Sequence, residues 1–144
     1  MYNKILLPTD GSTYADQEAE RVEKLLADDG EVIILSVAGK LTSSAFQPRS
    51  KIKKVNEKLK REAEAAVENM AAKFDDSFNV KKMVLTGFPA ETIKQVTEDE
   101  GVDLIIISAS GKSGIRRFVI GSVAEKVLKN SDIDVLLIHN NEES

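Results

Sequence analysis

Apolar residues follow two rhythms along this chain. Short runs rich in branched side chains recur at Ile5-Leu6-Leu7, Val32-Ile33-Ile34-Leu35, Val80 to Thr86, Val102 to Ile107 and Asp134-Val135-Leu136-Leu137-Ile138. The second and fourth are apolar without alternation, the pattern of strands covered on both faces in a parallel sheet. Between them the period lengthens. Ala15, Ala19, Val22, Leu25 and Leu26 recur at helical spacing, with Ser12 or Thr13 as cap and Gly30 beyond the end. From Lys51 to Phe74, apolar residues at Ile52, Val55, Leu59, Ala63, Ala66, Met70 and Phe74 form one stripe opposite a charged face. Such a stripe fits packing on a sheet better than a free coiled coil. Pro89 sits in the first turn of a short helix with Ile93 and Val96 facing inward, and a last helix covers Ser122 to Lys129.

Five strands alternating with four helices predict an α/β fold, a doubly wound, Rossmann-like parallel sheet with right-handed crossovers. The expected strand order is 3-2-1-4-5. No repeat or second domain interrupts residues 1–144, whose end, 139–144, reads as a solvated tail. The longest loop, Ala38 to Ser50, contains Pro48, and loops of that length are often functional.

Composition narrows the chemistry. With 42% apolar and 31% charged residues the chain is expected to be globular, and a formal charge of −4 gives no basic face for nucleic acid. There is no cysteine, which excludes disulfides and thiolate catalysis, and one histidine, His139, which disfavours a Ser/His/Asp triad or a histidine metal cluster. No apolar stretch approaches the roughly 20 residues of a membrane span. Cytoplasm is the expected location.

Gly111-Lys112-Ser113 invites comparison with a Walker A loop, but the position of its first glycine is Ile106, and Gly114-Ile115-Arg116-Arg117-Phe118 follows instead of a helix. In doubly wound sheets ligands bind beyond the carboxyl ends of the strands, where the strand order reverses. The loops after the first and fourth strands flank that point. The first reads Pro8-Thr9-Asp10-Gly11-Ser12; the second supplies Gly111, Lys112, Arg116 and Arg117, then Gly121-Ser122 at a helix start. Helix-terminal amides attract phosphate oxygens. Two readings stay open: these glycines hold an anion, or they turn the chain while Ser122 caps a helix. Asp10 likewise either accepts hydrogen bonds from a ligand or forms an Asx-turn.

Lys4-Ile5-Leu6-Leu7-Pro8-Thr9-Asp10-Gly11-Ser12, Gly87-Phe88-Pro89-Ala90-Glu91-Thr92-Ile93 and Gly121-Ser122-Val123-Ala124-Glu125-Lys126-Val127 occur in an order and spacing that resemble the universal stress protein family. Its ATP-binding members carry G-x2-G-x9-G-[ST] after the fourth strand. Here Gly111, Gly121 and Ser122 match, while Ser108 stands at the first glycine. If that backbone needs φ > 0, serine costs about 1–2 kcal/mol there; otherwise a small polar side chain fits. The resemblance implies an ATP or AMP site made of Pro8, Thr9, Asp10, Val37, Ser108, Gly111, Lys112, Gly121, Ser122 and Val123. Asp10 would hold the nucleoside, the glycines and Ser122 the phosphates, with Mg²⁺ as a companion. It also implies a homodimer through Val135, Leu136, Leu137 and Ile138, and a regulatory module, not an enzyme. A dimeric interaction protein without nucleotide and a slow ATPase are the alternatives. A response-regulator receiver is rejected, since Leu85-Thr86-Gly87 lacks its aspartate; so is a flavodoxin, since there is no Trp and only Tyr2 and Tyr14.

Overall fold

The computed structural model describes residues 1–11, 14–39, 48–109 and 121–139. Its elements run β1 (Tyr2–Pro8), α1 (Ala15–Leu25), β2 (Leu26–Ala38), α2 (Arg49–Ala71), β3 (Asn79–Thr86), α3 (Pro89–Glu100), β4 (Leu104–Ser108), α4 (Ser122–Asn130) and β5 (Asp134–Ile138). The strands form one parallel sheet in the order β3-β2-β1-β4-β5, as the alternation predicts.

Both faces of the central strands are covered, which is why their sequences are apolar without alternation. Ile5, Leu7, Val32, Ile34 and Ile106 point to one side, against Val22 of α1 and Val67 and Met70 of α2. Leu6, Ile33, Leu35, Ile105 and Ile107 point to the other, against Ile93 and Val96 of α3 and Ala124 and Val127 of α4. Successive side chains alternate between two cores, as the strand period of two requires.

Several boundaries differ from the sequence reading, α2 among them, which runs Arg49–Ala71 where the apolar stripe predicts Lys51 to Phe74. β2 starts at Leu26, directly out of α1, and Gly30 lies inside it. The pairing of β1 with β2 shifts register between Tyr2↔Leu26 and Lys4↔Glu31, so the backbone bulges there. A Cβ on Gly30 would fall 2.9 Å from the Asn3 carbonyl oxygen and 2.7 Å from Leu26 Cδ1. Gly30 therefore permits a close strand approach; it does not end the helix. β4 begins at Leu104, two residues later than the apolar run, because Val102 and Asp103 serve the corner before it. Gly101 closes α3 in the left-handed region (φ 68°), the Val102 N–H donates to the Thr97 carbonyl at 3.1 Å, and the Asp103 carboxylate accepts from the N–H groups of Asn3 and Lys4 at 3.0 and 2.9 Å.

Of the loop expected at Ala38–Ser50, Ala38 belongs to β2 and Arg49 and Ser50 to α2, while 40–47 lie outside the described residues. Among the described residues no helix is long and apolar enough to cross a membrane.

Candidate functional site

β1 and β4 are neighbours, and the chain leaves β1 toward β2 on one side and β4 toward β5 on the other. Their carboxyl ends therefore mark the reversal point, and the residues directly after them are tied to neighbouring strands. The Thr9 N–H donates to the Leu35 carbonyl at 2.8 Å, tying the end of β1 to β2. Ala109 N–H donates to the Ile138 carbonyl at 2.8 Å, and the Gly121 N–H donates to the Ala109 carbonyl, which seats α4 over the end of β4. Gly11 takes φ 83°, a left-handed turn that a side chain would strain.

A cavity of about 350 Å³ opens between these ends. Pro8, Thr9, Asp10, Val37, Ser108, Gly121, Ser122 and Val123 all line it, which gathers eight of the ten residues assigned from the resemblance. The other two, Gly111 and Lys112, lie outside the described residues, as do Ser12, Thr13, Arg116 and Arg117. Leu35, Val37, Pro89, Ile93 and Ile107 give the cavity an apolar side. Gly121, Ser122 and Val123 give it the start of α4. Gly121 is extended (φ −63°, ψ 153°) and occupies the cap position, Ser122 is the first helical residue, and no side chain caps the helix. The first amides of a helix have no acceptor within it, so this end carries partial positive charge.

Ser108 ends β4 opposite Ile138 of β5. Among the described residues no non-glycine residue has positive φ, so a serine in this position strains no backbone. Its Oγ is buried and makes no well-formed hydrogen bond.

The sequence reading missed Glu18. Only 3% exposed, it lines the same cavity as Asp10 and Ser108. Burial pushes its carboxyl up to about 8, the negative charge of Asp10 adds to the effect, and the nearby Ser108 hydroxyl pulls the other way. That hydroxyl favours the carboxylate but forms no full hydrogen bond, so it is a weaker influence than burial. A signal was available. Glu18 stands three residues after Ala15 and four before Val22, on the apolar stripe of α1. A charged residue on a buried stripe marks either a buried partner or a cavity.

Comparison with known proteins agrees with this geometry. The family model for the universal stress protein family matches residues 1–139. Universal stress protein MJ0577 of Methanocaldococcus jannaschii is 35% identical, across 96% of this chain and 95% of its own length. The solved structure of MJ0577 superposes with a TM-score of 0.76 at 36% identity, covering 99% of each chain. More distant structures share the fold. One is a universal stress protein in complex with cAMP, at 21% identity and a TM-score of 0.68 over 96% of this chain and 97% of its own. Another is a family protein from Arabidopsis thaliana with AMP bound, at 17% and 0.65 over 94% and 90%. Full-length identity, the sheet order and the position of the cavity lead to one conclusion: the chain belongs to the universal stress protein family.

Proposed function

We propose that this protein is a nucleotide-binding regulatory module, with ATP or AMP as its ligand, that acts as a cytoplasmic homodimer and not as an enzyme. One observation carries the reading: residues assigned from sequence motifs more than 100 positions apart, from Pro8 to Val123, surround a single cavity. The cavity has the right sides for such a ligand. The apolar side at Leu35, Val37 and Ile107 accepts a purine ring, Asp10 accepts hydrogen bonds from a sugar hydroxyl, and the amides at the start of α4 face a phosphate. Relatives of the same fold hold cAMP and AMP in their structures. Mg²⁺ would arrive on the phosphates of ATP, since among the described residues no three His, Cys, Asp or Glu side chains come together as a metal site.

The dimer reading rests on β5. It is an edge strand, Val135, Leu136 and Leu137 are only half-buried, and an apolar edge is a ready template for a second copy. A second reading, a dimeric interaction protein without nucleotide, has one observation in its favour: Glu18 places a carboxyl in the wall that must receive an anion.

The test begins with freshly purified protein. Its denatured supernatant is examined for nucleotide by ion-exchange chromatography and mass spectrometry; ATP, AMP and Mg²⁺ are then titrated onto stripped protein by calorimetry, with sedimentation equilibrium for mass. Bound nucleotide or micromolar affinity, reduced at least about tenfold in Gly121→Val, is the expected result, because a branched side chain would crowd the helix start where the phosphate approaches. No nucleotide and no heat at millimolar ligand would refute the binding reading, and a monomer mass would refute the dimer.

A further inference from the structure

Two carboxyls line the cavity at the head of α4, and they are not equivalent. Asp10 sits at the rim after β1, whereas Glu18 is 3% exposed. The elements packed on α1 leave Glu18 little choice of partner. β4, Leu104-Ile105-Ile106-Ile107-Ser108, presents no ionisable group, only the Ser108 hydroxyl. From the end of β1 comes Asp10, of the same charge. The charged residues of β1 and β2, Lys4, Asp28, Asp29 and Glu31, sit toward the amino ends of their strands, where Lys4 pairs with Glu31 at 3.8 Å. On α4, Glu125 is engaged with Lys129 at 2.9 Å, and His139 follows β5 in an exposed position. Asp16, Glu20, Arg21, Glu23 and Lys24 of α1 itself do not line the cavity, Lys73 just beyond α2 is paired with Asp16 at 2.6 Å, and among the described residues no Lys, Arg or His lines it.

An ionised carboxylate at this depth loses its hydration and gains a like-charged neighbour, and among the described residues no cation lines the cavity to offset either. We propose that Glu18 is a specificity-determining residue that makes the binding of anionic ligands proton-dependent: the cavity accepts a phosphate-bearing nucleotide while the Glu18 carboxyl is neutral and excludes it once that carboxyl ionises. This rests on the nucleotide reading above. In the neutral form Glu18 has an O–H that the buried Ser108 Oγ can accept; in the ionised form the same hydroxyl can donate to the carboxylate, a contact weaker than the cost of burial. In the ionised form a full negative charge lies in the same wall as the helix terminus that must attract phosphate, and the attraction is cancelled at its source. Titration at about 8 puts the change within reach of ordinary buffers.

The experiment compares two probes, cAMP and adenosine, by calorimetry at pH 7 and pH 9 and constant ionic strength, on the wild type and on Glu18→Gln. A phosphodiester keeps one charge over this range, whereas the second proton of a phosphate monoester leaves near about pH 6 and would confuse the profile. The neutral fraction of Glu18 falls from about nine-tenths to about one-tenth, so the Kd of the wild type for cAMP rises about tenfold. Adenosine, which carries no phosphate, changes by less than about twofold, and so does cAMP on Glu18→Gln. A measurement that needs no variant accompanies these: at pH 8, cAMP binding takes up about half a proton, read from the dependence of the heat on the ionisation enthalpy of the buffer.

Binding with a flat wild-type profile and no proton uptake overturns the role of Glu18 and leaves nucleotide binding intact. An unchanged slope in a folded Glu18→Gln also overturns it, and so does an equal slope for adenosine. Absence of binding by ATP, AMP, cAMP and adenosine even at pH 6 overturns the nucleotide reading, and the proton dependence falls with it.

Discussion

Replacing Glu18 with glutamine tests the physics of the buried carboxyl without any ligand. The unfolded chain releases the Glu18 proton near the ordinary glutamate value of 4.5, whereas the folded chain holds it to about 8. Between those values the native state binds the extra proton, so stability falls as pH rises from about 4.5 to about 8 and is level above. At about 1.4 kcal/mol for each tenfold step in proton affinity, the ceiling on this penalty is about 4–5 kcal/mol. Glutamine keeps the shape and cannot ionise. Urea unfolding followed by circular dichroism at pH 5, 7 and 9 gives the result, and the difference between the two proteins cancels every other titrating group. Glu18→Gln should match the wild type within about 1 kcal/mol at pH 5 and exceed it by about 4–5 kcal/mol at pH 9. Parallel profiles would refute the argument, because they would mean that Glu18 ionises in the fold as easily as in water.

The two glycines of special geometry should respond for different reasons. Gly30→Ala drives a Cβ to 2.9 Å from the Asn3 carbonyl and should cost about 1–3 kcal/mol in thermal unfolding. Gly101→Ala meets no atom within 4 Å, so its cost of about 1–2 kcal/mol comes from the left-handed backbone alone, and a loss well above about 2 kcal/mol would contradict that cause. Asp103→Ala removes the acceptor of two backbone N–H groups, at 3.0 and 2.9 Å, and should destabilise by about 1–3 kcal/mol. Hydrogen exchange at Asn3 and Lys4 should rise in that variant, and unchanged protection there would show that the contact is idle.

The sheet order was legible because it follows from a few strong rules. Runs such as Val32 to Leu35 have no polar face to leave in water, which demands cover on both sides and hence crossovers through helices. The reversal point then places the cavity, and motif positions fill in its wall. What escaped notice depends on contacts between segments distant in sequence. Gly30 reads as a helix terminator until the bulge against Asn3 shows why no side chain fits. Val102 reads as strand, although its N–H serves the end of α3. Ser122 reads as a cap, yet the extended residue before α4 is Gly121. Glu18 reads as one more charge on a polar helix, because its depth is set by Asp10 and Ser108 approaching from two other elements.

The order β3-β2-β1-β4-β5 has a consequence for the nascent chain. The first three strands form a contiguous half-sheet by themselves, and its inner edge is β1, whose Ile5, Leu6 and Leu7 are fully buried in the finished protein. Until β4 arrives, that edge is an unpaired apolar template. The 17 residues between Thr86, the end of β3, and Leu104, the start of β4, leave it open for about 1–3 seconds at about 5–20 residues per second of synthesis. During that interval neighbouring chains on one messenger compete with β4 for the same row of backbone groups. The central strand of the mature sheet is thus the point at which crowded translation would most readily misdirect its assembly.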